Sequence, residues 1–342
     1  MSWYLFCESS ELQSKPLTRT IGGLTLTAFR DQNGNAVIVD NRCAHLGANL
    51  GAGRVVNGML ECPYHHFRYG ADGRCADPNL RLTIYPVAEC LGAVFVFSAE
   101  RATFPFPTFR TEPGVRLVSA RRFRLRLETP WYMVCAQAFD LRHFRTLHAR
   151  RLLSDPMIEV TGAYSRRIRS CFEVAGTGWV DKATRMLSGR EVEFDVTAWA
   201  GNIVLVQTRF EQDRSFGLVV VEPLLDASMT DISIIVSAPA GGIPLVDWLR
   251  VQIKRFAVRH MIHCDIDALE GLKYRPDGLL PGDEFLSDYL TWVASLHAEE
   301  TARTNGDSDA EHLKNDAARA RTVERARPAT RRHNMPGGGG AA

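Results

Sequence analysis

Cys43-Ala-His45-Leu-Gly47-Ala-Asn-Leu-Gly51-Ala-Gly53, answered further on by Cys62-Pro-Tyr-His65-His66-Phe67, is the stretch from which the fold can be read. Sixteen residues separate His45 from Cys62, so two short Cys/His pairs fall naturally on two loops that close on one metal centre. Two thiolates with two imidazoles suit either a structural zinc or an iron–sulfur cluster. The surroundings favour the cluster. Gly47, Gly51 and Gly53 follow the first pair, and a backbone free of side chains can approach sulfur and donate N–H groups to it.

Working outward, the first hundred residues read as short strands separated by turns. Residues 24–29 and 36–39 flank Asp31-Gln-Asn-Gly34 in a hairpin pattern, and 82–85 and 93–97 are further strands. This predicts a small antiparallel β domain over 1–105. Phe104-Pro-Phe-Pro107 reads as a linker, since its prolines exclude helix and central strand. Residues 115–297 read as a second, mixed domain, so the fold class is α+β. Arg122, Arg124 and Arg126 alternate with Phe123, Leu125 and Leu127 in a half-buried strand. Residues 131–150 look helical, 203–211, 216–223 and 230–238 look like strands, and a long helix over 247–272 is opened by Pro244 and Asp247. Residues 301–342 contain no Phe, Trp or Tyr and end in Gly337–Gly340, which predicts a disordered tail.

Composition narrows the function. Of 342 residues, 45% are apolar and 23% charged, ordinary for a globular enzyme and unlike collagenous or disordered chains. The net charge of +2 gives no argument for nucleic acid, and the segment 301–342 carries more than all of it. No apolar run approaches a membrane span, and eight cysteines in so long a chain are no disulfide framework. A reducing cytoplasm is the expected compartment.

A second constellation lies in Gln137-x-x-Asp140-x-x-His143-x4-His148. Asp140 and His143 share a helical face, whereas five positions place His143 and His148 about 140° apart. The helix must therefore end or distort before both reach one metal. A third group sits in the long C-terminal helix. Val258, Met261, Ile262 and Leu269 surround Asp265 at helical spacing, so a carboxylate is set into an apolar stripe. Burying it alone is costly, and a metal is an economical partner. His260, His263 and Asp267 fall instead on a polar face, read as solvated. Two imidazoles and one carboxylate make the facial triad of non-haem Fe(II) oxygenases, which His143, His148 and Asp265 fit.

CAHLGANLGAG and CPYHHFRYGADGRC look like the two halves of a Rieske [2Fe–2S] motif. With the second constellation following in order, about 1–297 resembles the catalytic α subunit of Rieske non-haem iron oxygenases, among them the ketosteroid-hydroxylase and demethylase groups. The resemblance implies an N-terminal Rieske domain whose [2Fe–2S] cluster is held by Cys43, His45, Cys62 and His65. It implies a helix-grip catalytic domain with a mononuclear Fe(2+) at His143, His148 and Asp265. It further implies a head-to-tail homotrimer in which Asp140 links this iron to a Rieske histidine of another chain. Electrons come from a ferredoxin or an NAD(P)H-dependent reductase, and O2 oxidises an apolar substrate, polycyclic, steroid-like or aromatic, by hydroxylation, demethylation or desaturation. His66 and Phe67 stand where the family usually has Gly and Trp, and Gln137 where it often has Asn. Trp131, Met133, Phe139, Leu147, Trp199 and Phe210 are candidate pocket walls, though such spacing is more often plain core. Arg121, Arg122, Arg124 and Arg126 either dock an acidic ferredoxin or form a solvated strand face. The competing readings are a Rieske electron carrier without oxygenase activity and a zinc-stabilised binding module.

Overall fold

Three small antiparallel sheets build the N-terminal part of the computed structural model, which describes residues 1–224 and 229–296. The expected tail at 301–342 lies outside the described residues. Trp3–Glu8, Ala93–Phe97 and Val87–Cys90 form one sheet, and Leu17–Ile21, Leu24–Arg30, Ala36–Asp40 and Ile84–Tyr85 the second. Arg54–Val56, Met59–Glu61 and Arg68–Tyr69 form the third, beside the two Cys/His loops. The expected hairpin is present, its turn held by Asp31, whose Oδ1 accepts from the Asn33 and Asn35 N–H groups at 2.9 and 2.7 Å. Such local contacts are why Asp and Asn favour turns.

A nine-stranded antiparallel sheet follows. Leu117–Ser119 and Phe123–Glu128 both pair with Met229–Pro239, and the order continues through Arg214–Pro223, Ile203–Phe210 and Glu191–Trp199 to Ser165–Val174. Arg150–Leu152 and Met157–Gly162 close the far edge on Ser165–Val174. Strand alternation gives this sheet two apolar faces. Val192, Phe194, Val196 and Ala198 turn to one side, with Val196 opposite Val206 and Phe194 opposite Thr208. On the other side Ile203, Leu205, Leu218, Val220 and Ile235 pack against Trp3, Phe95 and Phe97 of the first small sheet. Each fully buried side chain here contributes roughly 1.5–3 kcal/mol.

The segment 104–107 avoids helix and strand as its prolines require, yet it is packed rather than a loose linker. Phe104 is buried between the sheets, stacked on Tyr164 and Trp199 at 5.0 and 5.8 Å, and its carbonyl accepts from Trp3 Nε1 at 3.1 Å.

The stretch 131–150 is not one helix. Helix α1 covers Trp131–Ala136, a single tight turn follows over Gln137–Phe139, and α2 covers Leu141–Thr146. Helix α3, Trp179–Leu187, was not foreshadowed above, although Trp179, Val180, Ala183, Met186 and Leu187 recur at helical spacing. Helix α4, Pro244–Leu269, is the long helix; Asp247 ties its start by accepting from the Gly241 and Gly242 N–H groups at 2.7 and 3.1 Å. It stops before residue 272 because Gly271 turns to φ +72°, a left-handed conformation open to glycine. Val251, Lys254, Asp265 and Leu269 form its buried stripe, on the side of the large sheet that carries Val192, Phe194 and Val196.

Candidate metal centres and the cavity beside the triad

The two Cys/His loops are each closed by backbone hydrogen bonds, Cys43 N–H to Ala48 O at 2.9 Å and Cys62 N–H to Phe67 O at 2.8 Å. They bury both thiols while leaving His45 and His65 exposed, with the two Nδ1 atoms 3.2 Å apart. Buried sulfurs and outward imidazoles, converging from two loops, fit a cluster with one thiolate-held and one imidazole-held iron. Phe67 lies with its ring 5.1 Å from His45 and 6.4 Å from His65, so the departure from Trp keeps an aromatic cover over the site.

Tyr69 was not anticipated. Its hydroxyl lies 3.1 Å from Cys43 Sγ, in a fully buried position, and burial followed by that contact pushes its phenol well above the usual range. A protonated phenol donates to the sulfur. The glycines serve a different purpose from the one expected. Gly47 turns at φ +73° and donates its N–H to Cys43 O at 2.9 Å, Gly51 donates to Asn49 Oδ1 at 2.9 Å and Gly53 to Leu50 O at 3.0 Å, and a Cβ at Gly53 would lie 2.1 Å from Glu61 O. His66 adopts φ +60°, where glycine is the unstrained residue, and its Nδ1 turns to Glu61 Oε1 at 3.3 Å. It is not grouped with the other imidazoles.

The second constellation converges as well. The donor atoms of His143, His148 and Asp265 lie within 4.8 Å of one another. The 140° mismatch is resolved as it must be: α2 ends at Thr146, and Ala149 at φ +48° reverses the chain just beyond His148. Asp140 caps α2, its Oδ1 accepting from the Arg142 and His143 N–H groups at 3.0 and 3.2 Å. Its backbone carbonyl accepts from His143 Nδ1 at 2.7 Å, which fixes the tautomer that leaves Nε2 free as a ligand. The Arg150 guanidinium, paired with Asp181 at 2.8 Å, donates to His148 O at 2.6 Å and anchors the other side. Neither the Asp140 carbonyl nor Arg150 was visible in the spacing.

His148 Nε2 and Asp265 Oδ1 approach to 2.8 Å, yet Oδ1 is buried without a hydrogen bond. The two atoms sit side by side instead of donor to acceptor, which is the arrangement of two ligands aimed at a common point. Burial holds the His143 imidazole below its ordinary pKa, against an opposing pull from Asp265, which favours the neutral form that a metal ligand needs. These residues fit a divalent metal.

The triad opens on a cavity of about 790 Å³ between α4 and the large sheet. Phe144, Trp179, Phe194, Phe210, Phe216 and Phe256 line it. Of the expected walls only Phe210 does so. Trp199 faces the other side of its strand and joins the core against the small sheet, and Phe139 is stacked on Tyr289 at 4.3 Å. Trp131, Met133 and Leu147 also stay outside it. The basic run is ion-paired within the chain: Arg121 and Arg122 reach Glu8 at 2.8 and 3.5 Å, and Arg124 and Arg126 reach Asp231 at 2.9 and 2.7 Å. His260, His263 and Asp267 are exposed, as read.

Residues 2–86 match the Rieske [2Fe-2S] domain family. Among curated proteins, aminopyrrolnitrin oxygenase PrnD of Pseudomonas fluorescens is 46% identical over 74 residues, 22% of this chain and 20% of that protein. The 3-chlorobenzoate-3,4-dioxygenase oxygenase subunit of Comamonas testosteroni is 30% identical over 171 residues, 45% of this chain and 38% of that protein. The chain therefore spans well under half the length of these two relatives. The solved structure of dicamba monooxygenase bound to dicamba superposes with a TM-score of 0.64 at 20% identity, covering 88% of this chain and 98% of that one. That likeness establishes the architecture of sheet, helix and N-terminal domain together. The chain thus carries a Rieske domain, which implies a [2Fe–2S] cluster, and it has the fold of the oxygenase subunits it resembles.

Proposed function

We propose that this chain is the terminal oxygenase component of a Rieske non-haem iron system. It would take electrons from a separate ferredoxin or NAD(P)H-dependent reductase and use O2 to hydroxylate, demethylate or desaturate an apolar substrate. The observation that carries the reading is the convergence of His143, His148 and Asp265 on the wall of a large apolar cavity. In this account Cys43, His45, Cys62 and His65 hold the cluster, and the triad holds a ferrous ion. Bound there, iron supplies the open positions at which dioxygen is reduced.

The chain's own residues do the rest. His45 and His65 present their imidazoles at the surface, where an electron donor or a neighbouring protomer can approach. Asp140 orients His143 through its carbonyl, and its carboxylate, partly exposed at the start of α2, is the group assigned to link two protomers of a homotrimer. Phe144, Phe194 and Phe210 exclude water from the triad and bind the substrate by shape. Among the described residues no helix is long and apolar enough to cross a membrane; the compartment assigned to the chain is the cytoplasm.

The test is turnover. The iron-loaded chain is mixed with a ferredoxin, its reductase, NADH and 18O2, and offered steroids, chlorinated aromatics and methyl ethers. Substrate-dependent NADH and O2 consumption, with an oxidised product, supports the reading. Reduction of the cluster with no product and no substrate-dependent O2 uptake would leave an electron carrier.

A further inference from the structure

Helix α4 is apolar on two sides. Its buried stripe faces the large sheet, while Leu245, Trp248, Leu249, Ile253 and Phe256 are more than half exposed along the stretch 245–256. A helix with apolar residues all round is ordinarily covered all round. Beside it Trp179, Met186 and Leu187 of α3 are exposed to a similar degree, with Trp179 6.3 Å from Phe256. The two helices together make a plateau of a kind soluble monomers rarely leave open without a binding role.

The plateau is continuous with the cavity. Trp179, Leu187, Leu249, Ile253 and Phe256 are both exposed and part of the cavity lining, so the apolar plateau runs on into the cavity on whose wall the triad sits. Its rim is basic. Lys182, Arg250 and Arg259 are exposed on α3 and α4, while Asp247 is buried against Gly241 and Gly242 and Asp181 is paired with Arg150. A self-pairing of two copies about a two-fold axis would bring this cationic rim against itself and close the mouth of the cavity. An apolar, tryptophan-bearing plateau with a cationic rim matches a different partner, the surface of an anionic phospholipid bilayer.

We infer that the α3–α4 face docks peripherally on an anionic lipid surface, with Leu245, Trp248, Leu249 and Phe256 entering the headgroup boundary and Lys182, Arg250 and Arg259 meeting lipid phosphates. On the oxygenase reading, this places the cavity mouth on the membrane, and the substrate class is one that partitions into lipid and enters without crossing water. The docking itself does not depend on that reading.

Flotation of the full iron-loaded chain with vesicles tests it, using phosphatidylcholine alone and phosphatidylcholine with 30% phosphatidylglycerol, at low and at 0.5 M salt. Binding to the anionic vesicles at least tenfold stronger than to the neutral ones, and weakened by salt, is expected. Leu245→Glu and Trp248→Glu, which lie outside the cavity lining, lower the partition at least tenfold with unchanged circular dichroism and melting temperature. Asp265→Ala leaves it unchanged, which separates docking from the metal site. Absence of vesicle binding, or binding indifferent to both Glu variants, overturns the proposal. So does concentration-dependent self-association that Leu245→Glu abolishes, since the face then joins copies of this chain.

Discussion

His148 Nε2 and Asp265 Oδ1 stand 2.8 Å apart without forming a hydrogen bond, although among the described residues the carboxylate oxygen has no other partner and it has little access to water. Two buried lone pairs side by side store a cost that a shared cation removes. Fe(II) or Co(II) added anaerobically to metal-free protein is therefore expected to raise its melting temperature. At a hundredfold excess over the dissociation constant the gain is about 2.7 kcal/mol, some 5–10 °C for a domain of this size. Asp265→Ala should lose this response, as measured by differential scanning fluorimetry.

The hydroxyl of Tyr69 donates to Cys43 Sγ across 3.1 Å in a dry environment. A hydrogen bond to sulfur stabilises the more negative, reduced cluster more than the oxidised one. If the difference is about 1.4 kcal/mol, removing it shifts a one-electron couple by about 59 mV. Tyr69→Phe is accordingly expected to lower the midpoint potential by tens of millivolts while keeping the visible spectrum, which spectroelectrochemical titration reads directly.

Glu222 sits at the junction of the two parts of the molecule, facing Arg19, Arg124 and Asp231 across a small polar cavity. Burial, reinforced by the like charge of Asp231, raises its carboxyl from 4.5 to about 7. The folded state thus keeps a proton that the unfolded chain releases near 4.5, so this residue weakens folding as pH rises from 4.5 through 7. The loss is on the order of 2 kcal/mol after allowing for partial exposure. Urea midpoints of wild type and Glu222→Gln, compared at pH 5 and pH 8, should diverge at pH 8 with the variant more stable.

Asn202 joins the two sheets. Its Oδ1 accepts from the Ser2 hydroxyl at 2.6 Å, and its Nδ2 donates to Trp3 O at 3.1 Å, all within the buried interface. Asn202→Ala leaves a carbonyl and a hydroxyl unpaired there, at a cost of about 2–4 kcal/mol. A fall in the melting temperature of roughly 5–10 °C is expected, with the cluster chromophore retained until the transition.

Much of this was legible in the sequence, for a physical reason. Ligand spacing is a local property, so Cys43, His45, Cys62 and His65 announce their loops, and the five-residue step from His143 to His148 announces that the helix must break. Asp265 was marked by the apolar stripe around it. What escaped depends on segments far apart in the chain. Tyr69 reaches Cys43 only because the third small sheet folds over the loop, and Arg150, which donates to His148 O, is itself held by Asp181 of α3. The cavity walls were misassigned because Trp199 and Ala198 point to opposite faces of one strand, and nothing in the strand itself says which face meets the small sheet. The glycines at 51 and 53 answer to Thr18 and Glu61, neighbours that composition cannot supply.

A chain that holds a cluster and a separate iron at His143, His148 and Asp265 has a distinct metal content. Iron and acid-labile sulfide per chain are measured on anaerobically purified wild type and Asp265→Ala. Three irons and two sulfides are expected in wild type, and two irons, two sulfides and an unchanged visible spectrum in the variant. Two irons in both proteins, with added Fe(II) failing to supply a third to wild type, would rule out the separate iron.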